Sequence, residues 1–195
     1  MKKISLIITS LVLLSFSCEK KADSVEEKET KTETVQKEVT LLNDSVNATY
    51  KKMTEVDDQK FKDIKRLLDE ISYTSDYDVA LHDSLTKQLE VVKSKRFDDK
   101  LDTAQIDAYD MLTDAYIAKV YALKSKSKEI AQHPLADELM QDINKANSAE
   151  TVASLRIDYD SWAKAYNEYI KKHSRKLEKM GEPYASMKER ATITK

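Results

Sequence analysis

Apolar residues along this chain recur at intervals of three and four. From Val39 the series runs Val39, Leu42, Val46, Thr49, Met53 and Val56, then Ile64, Leu67, Leu68 and Ile71, which places them on one side of a helix. Lys60 interrupts the stripe beside Phe61, which can take the inward position, and residues 73–77 break the pattern. A second, shorter stripe follows in Val79, Leu81, Leu85, Leu89 and Val92, and the polar run Asp98, Asp99, Lys100 makes a connection. Asp102 or Thr103 is the expected N-cap of a third helix, because a short oxygen-bearing side chain can accept an orphan amide of the first turn. That helix carries Ala108, Met111, Leu112, Ala115, Ala118 and Ala122, with Tyr109, Tyr116, Val120 and Leu123 beside them. A face of such small residues lets a neighbouring helix approach closely. His133 and Pro134 end this helix, and 135–143 reads as a short one.

The last helix has the clearest punctuation. Asn147 and Glu150 have the spacing of a capping box. Val152, Leu155, Tyr159, Trp162, Ala163, Tyr166, Ile170, Leu177 and Met180 then keep one face, with His173 at a boundary or core position on the same stripe. Gly181, the only glycine in the chain, falls just after the last periodic residue, where a left-handed C-cap is wanted, and Pro183 opposes any resumption. The expected fold is all-α: an antiparallel helical bundle of about four main helices plus one short helix over residues 39–181, followed by a polar C-terminal tail at 182–195.

Composition narrows the alternatives. The 195 residues include one Gly, two Pro and one Cys, against 35 Asp plus Glu and 33 Lys plus Arg. Ordinary usage supplies about 7% Gly and 5% Pro, so glycine-rich phosphate loops, dinucleotide-binding folds and hairpin-rich sandwiches all lack the residues they need. With 35% of residues charged, much of each helix must face water.

Residues 1–17 read as a signal peptide. Lys2 and Lys3 precede an apolar run over 4–16, broken only by Ser5, Thr9, Ser10 and Ser15, and Ser17 closes it before Cys18. The run is too short to span a bilayer, which takes roughly 20 residues. Cys18 stands where a lipoprotein signal peptidase would leave a thiol for diacylglycerol, and the surrounding residues resemble a bacterial lipobox. Cys18 is therefore the expected lipidated first residue of an exported protein held on a membrane. Glu19 rather than Asp follows it, which points to the outer membrane, with the folded part facing the periplasm or the cell surface. No second Cys exists to form an internal disulfide. Residues 18–38 are expected to form a flexible charged tether, since only Ala22, Val25 and Val35 offer apolar surface against seven acidic and five basic residues, the alternative being a frayed helical extension of the segment that follows.

A search for chemistry returns little. His82, His133 and His173 each lack a second His or a Glu at helical metal-binding spacing, so neither a metal nor a cofactor is expected. An acylated Cys18 cannot act as a nucleophile, and no serine can be singled out without a placed His. Asp107, Asp110 and Asp114 step along one side of the third helix, as cation ligands, catalytic carboxylates or a solvated face would. Asp76 with Asp78, and Asp158 with Asp160, lack the glycine and terminal Glu of a calcium loop. The expectation is a protein without enzymatic activity.

Charge is unevenly spread, with nine basic against four acidic residues over 164–195. Lys171, Lys172, Arg175 and Lys176, with Lys179, either complement the helix dipole or face an anionic partner or membrane surface, and the first four are candidate partner contacts. Nucleic acid is not expected, because the rest of the chain is acidic and no basic groove with interleaved aromatics is visible.

The last helix also carries a family resemblance. Arg156, Tyr159, Asp160, Ala163, Tyr166, Asn167 and Ile170 follow the spacing Arg-x-x-Tyr-Asn-x-x-Val-x-x-Tyr-Asn-x-x-Ile, and His133 to Ala136 is similar to a Tyr-Pro-Asp-Leu that opens a short helix. In these features residues 132–171 resemble the LemA family, with Arg156, Tyr159, Tyr166 and Asn167 as the matching motif residues. The resemblance implies an antiparallel helical bundle on a membrane anchor with no known catalytic residues. The anchor here would be a lipid on Cys18 in place of an amino-terminal transmembrane helix. Two functions fit: a module that binds or scaffolds an envelope protein through the exposed faces of the third and last helices, or a carrier of a small apolar or anionic ligand between the Ala-rich third helix and facing aromatics. The stripe over 39–56 suits a bundle or a coiled-coil dimer equally and leaves the oligomeric state open.

Overall fold

The computed structural model describes residues 19–98 and 100–193. Residues 1–17 and the lipidation candidate Cys18 lie outside the described residues. Among those described, the chain forms five α-helices and no strand: α1 (Glu19–Ser72), α2 (Val79–Lys93), α3 (Thr103–Lys126), α4 (Pro134–Ala146) and α5 (Ala149–Met180), with single 3-10 turns at Glu129–Gln132 and Tyr184–Ser186. The fold is an all-α bundle. The chain divides into two units, Met1–Glu38 and Val39–Lys195.

In the first unit, residues 19–38 are helical, the alternative to a flexible coil. Low hydrophobicity argued for coil, but 13 of the 20 residues are Glu, Lys, Ala or Gln, of high intrinsic helix propensity, and none is Gly or Pro. Lys37 and Glu33 add a favourable pair one turn apart, at 2.7 Å.

The second unit holds the core. Val39, Val46, Met53, Ile64, Leu67, Leu68 and Ile71 of α1 are buried as their periodicity demands. Lys60 is buried together with Phe61 rather than displaced by it. Leu85, Leu89 and Val92 form the inner side of α2.

The helix α3 corrects the sequence reading. Its inward face is Ile106, Tyr109, Thr113, Tyr116, Ile117, Val120 and Leu123, whereas Ala108, Met111, Leu112, Ala115, Ala118 and Ala122 all face solvent. Both series have helical spacing, and burying the larger side chains removes more apolar area from water. The tyrosine hydroxyls also find acceptors inside: Tyr116 donates to the Leu85 carbonyl at 2.8 Å and Tyr121 to the Met140 carbonyl at 3.2 Å. Trp162 departs in the same way from its expected stripe on α5, being 41% exposed.

Helix ends follow local chemistry. Asp102 caps α3, accepting from the amides of Ala104 at 2.9 Å and Gln105 at 3.1 Å. Just before it, buried Leu101 adopts φ +49°, a left-handed conformation uncommon for a side chain of its size. The cap of α5 is Ser148, which accepts from the Thr151 amide, and not Asn147, which closes α4 and turns its side chain elsewhere. Gly181 ends α5 as its position implied, with φ +73° and ψ −167°.

At one end of the bundle two connections are clasped reciprocally. Asp76 accepts from the Ser127 hydroxyl and from the Lys128 amide, the latter at 2.7 Å. Glu129 accepts from the Ser75 amide and hydroxyl, both at 2.7 Å. These bonds hold both carboxyls below their ordinary titration range. For Asp76 the Ser127 hydroxyl is the larger cause, and for Glu129 the Ser75 amide.

The C-terminal segment is not a free polar tail. After the turn at Tyr184–Ser186 it runs back along α5, ending with Ile193 buried. Polar side chains hold its backbone, so a composition that reads as solvated is compatible with docking.

Candidate functional site

A cavity of about 510 Å³ opens between α1, α3 and α5. Met53 and Val56 of α1, Phe97, and Val152, Ala153 and Ile157 of α5 give it apolar walls, and Ile157 is 59% exposed at its edge. The polar part is a chain of paired groups. Asp57 accepts from Lys60 Nζ at 2.9 Å and from the Tyr109 hydroxyl at 2.5 Å. Lys60 Nζ, almost wholly buried, also donates to Asn147 Oδ1 at 3.1 Å. Asn147 Nδ2 in turn donates to Asp114 Oδ1 at 2.7 Å. Across the cavity, Arg156 Nη2 donates to both oxygens of Asp110, at 2.8 and 2.7 Å.

The local sequence explains how α1 supplies this network. Asp57 and Lys60 lie three residues apart, hence on one face, and that face is the buried one, so each ion is the other's compensation. Arg96 supports the pair from behind, bonding Asp58 at 2.8 Å and the Thr54 carbonyl at 3.4 Å. Tyr109 packs edge-on against Phe97, with ring centres 5.8 Å apart. Burial, then the adjacent Asp57 charge, raises the Tyr109 hydroxyl far above the ordinary phenol range. It therefore stays a donor, fixed on Asp57. The arrangement offers an open cleft with apolar walls and a preorganised polar rim, suited to holding an amphipathic group.

The residues singled out in the sequence separate into different places. Asp110 and Asp114 reach the cavity, each engaged by a donor from elsewhere in the chain, whereas Asp107 is exposed outside it. Among the described residues no three His, Cys, Asp or Glu side chains converge as a metal site. Of the four motif residues, Arg156 joins the cavity, while Tyr159, Tyr166 and Asn167 face the C-terminal segment. Lys171 pairs with Glu189 of that segment at 2.9 Å. Lys172, Arg175 and Lys176 are exposed, with no ion pair among the described residues. His173 is half-buried, its ring 4.4 Å from that of Tyr169.

Sequence reasoning missed Asp57, Lys60 and Tyr109 as a unit and gave Asn147 a capping role. A usable signal was present in Lys60, a cation on an apolar stripe with an opposite charge one turn before it. Nothing local identifies Asn147, whose partners are 87 and 33 residues away in sequence.

No protein-family model, curated protein or solved structure matches the chain significantly.

Proposed function

We propose that this chain is a non-enzymatic binding module of the bacterial cell envelope, exported and held on a membrane, the outer membrane in preference, by a lipid on Cys18. The reading rests on the cleft between α1, α3 and α5. Asp57 is paired with Lys60 and Asp110 with Arg156, Asp114 is held by the Asn147 amide, and the apolar walls end at an exposed Ile157, a surface suited to holding a ligand in place. The lipobox-like approach to Cys18 supports the anchor. The resemblance of residues 132–171 to LemA-type helices, and the short connections between consecutive helices, support an antiparallel bundle on that anchor.

The ligand class is an envelope protein presenting an amphipathic side-chain cluster to the cleft. A second reading, carriage of a small amphipathic molecule, is favoured by the cavity volume of about 510 Å³. It no longer draws support from the Ala-rich face of α3, which lies outside the bundle.

A photo-cross-linking amino acid at Ile157, in the lipid-anchored protein within its own cells, separates the two. A cross-linked protein that disappears with Ala153→Trp supports the binding module, and an adduct of small-molecule mass that disappears with the same change supports the carrier. An Ile157 probe that captures nothing, while a probe on the exposed face of α5 reacts normally, overturns the cleft as a binding site. Anchoring is tested by Cys18→Ala, which is expected to move the protein from the membrane fraction to the soluble one.

A further inference from the structure

Residues 190–193 are bound as a peptide would be. Asn167 on α5 accepts the Arg190 amide on Oδ1 at 2.7 Å and donates from Nδ2 to the Arg190 carbonyl at 2.8 Å. One side-chain amide thus imitates a neighbouring backbone and reads a main chain without regard to its sequence. Tyr159 donates to the Ala191 carbonyl at 3.1 Å, and Asp160, only 3% exposed, accepts the Ile193 amide at 2.7 Å.

Two side chains of the segment are recognised as well. The Arg190 guanidinium donates from Nη2 to Asn43 Oδ1 at 2.8 Å and Asn47 Oδ1 at 3.0 Å, and lies 5.9 Å from the centre of the Tyr166 ring. Two amide oxygens and an aromatic face suit a planar, weakly hydrated guanidinium better than a compact ammonium. Ile193 is buried. The pattern read is therefore Arg, two half-buried residues without a side-chain hydrogen bond among the contacts above, then an aliphatic.

The hold is concentrated at that end. Between Tyr184 and Glu189 the segment bridges a second cavity, of about 530 Å³, floored by Ile170, Ser174 and Leu177 of α5. Over that stretch an exposed pair between Lys171 and Glu189, at 2.9 Å, ties the segment to α5, and such pairs add little stability, so the segment can leave once its end is released.

We propose that this groove on α1 and α5 is a peptide-recognition site for non-helical segments of the pattern Arg-x-x-aliphatic, filled in cis by the chain's own residues 190–193 and open to such a segment from a partner protein. The proposal is independent of the cleft between α1, α3 and α5.

The test uses the full-length protein and a fluorescent peptide with the sequence of residues 186–195, followed by anisotropy. Arg190→Ala in the protein weakens the cis occupant and leaves the groove intact. Saturable binding to this variant is expected, with affinity for the wild-type chain lower by about tenfold or more because the cis segment competes. Binding is expected to vanish when the peptide carries Arg190→Ala, or when the protein carries Asn167→Ala in addition. A normally helical Arg190→Ala protein that binds no peptide, or binds the altered peptide equally well, overturns the proposal. Should that variant fail to fold, amide hydrogen exchange on the wild-type protein decides. Faster exchange at Arg190 and Ile193 under excess unlabelled peptide supports exchange of occupants, and unchanged protection overturns it.

Discussion

At the scale of single residues, the most consequential side chain is Lys60. An ammonium with 7% side-chain exposure is tolerated only because Asp57 and Asn147 surround it. Lys60→Met removes the buried ion partner of Asp57, which keeps the Tyr109 hydroxyl at 2.5 Å and Arg96 at 3.5 Å, so a loss of about 3 kcal/mol, the low end for a broken buried pair, is expected in urea unfolding. Lys62→Met, two residues along on the exposed side, is expected to stay within about 0.5 kcal/mol and serves as the control. Gly181 is a different kind of constraint. No atom lies within 4 Å of a Cβ built there, so space is available, but φ +73° with ψ −167° belongs to a region that side chains rarely enter. Gly181→Ala is expected to cost about 1–3 kcal/mol through backbone strain alone, read as a lowered thermal midpoint by circular dichroism. That a helix ends at 181 was legible from the lone glycine. The value of ψ was not, since it depends on the direction in which the C-terminal segment departs.

At the scale of elements, the helices were largely legible and their partners were not. Asp102 as the cap of α3, Pro134 at the first position of α4 and the end of α5 all follow from interactions within one turn. Asn147 was misread because its spacing to Glu150 satisfies the capping rule, yet its side chain serves better between Lys60 and Asp114, and Ser148 caps in its place. The clasp between the connection after α1 and the one after α3 yields a pH prediction. Asp76 and Glu129 bind protons more weakly folded than unfolded, so they stabilise the fold above the ordinary carboxylate range. That contribution is lost as pH falls through about 4 and below. The wild-type chain should hold its stability near neutrality and lose it in acid. Asp76→Asn combined with Glu129→Gln should be less stable at pH 7 and show a shallower acid slope in denaturant titrations at successive pH values.

At the scale of the whole molecule, the basic end divides into two roles. Lys171 is tied to Glu189 of the C-terminal segment, whereas Lys172, Arg175 and Lys176 point to solvent. Reversing the last three to Glu is expected to keep the chain folded, with unfolding free energy within about 1.5 kcal/mol, about 0.5 for each exposed position. Any loss of partner binding in that variant then reports the surface itself. Lys171→Glu places like charges together and is expected to increase hydrogen exchange over 188–193, which the triple reversal should not do. The same split separates the motif residues: Arg156 belongs to the cleft, and Tyr159, Tyr166 and Asn167 to the groove that holds the chain's own end.

The sequence by itself determined the all-α class and most helix boundaries, because periodicity and capping are interactions over one turn and are written in neighbouring residues. Only the tertiary structure decided which of two helical stripes of α3 turned inward, a competition settled by the area and hydrogen bonds each could bury. It also decided that the polar C-terminal segment docks, and that Asp57 meets Tyr109, Lys60 meets Asn147 and Asn167 meets Arg190 across 52, 87 and 23 residues. Such pairs join polar side chains that look solvated in the sequence, and their burial is fixed only when separate helices close around them.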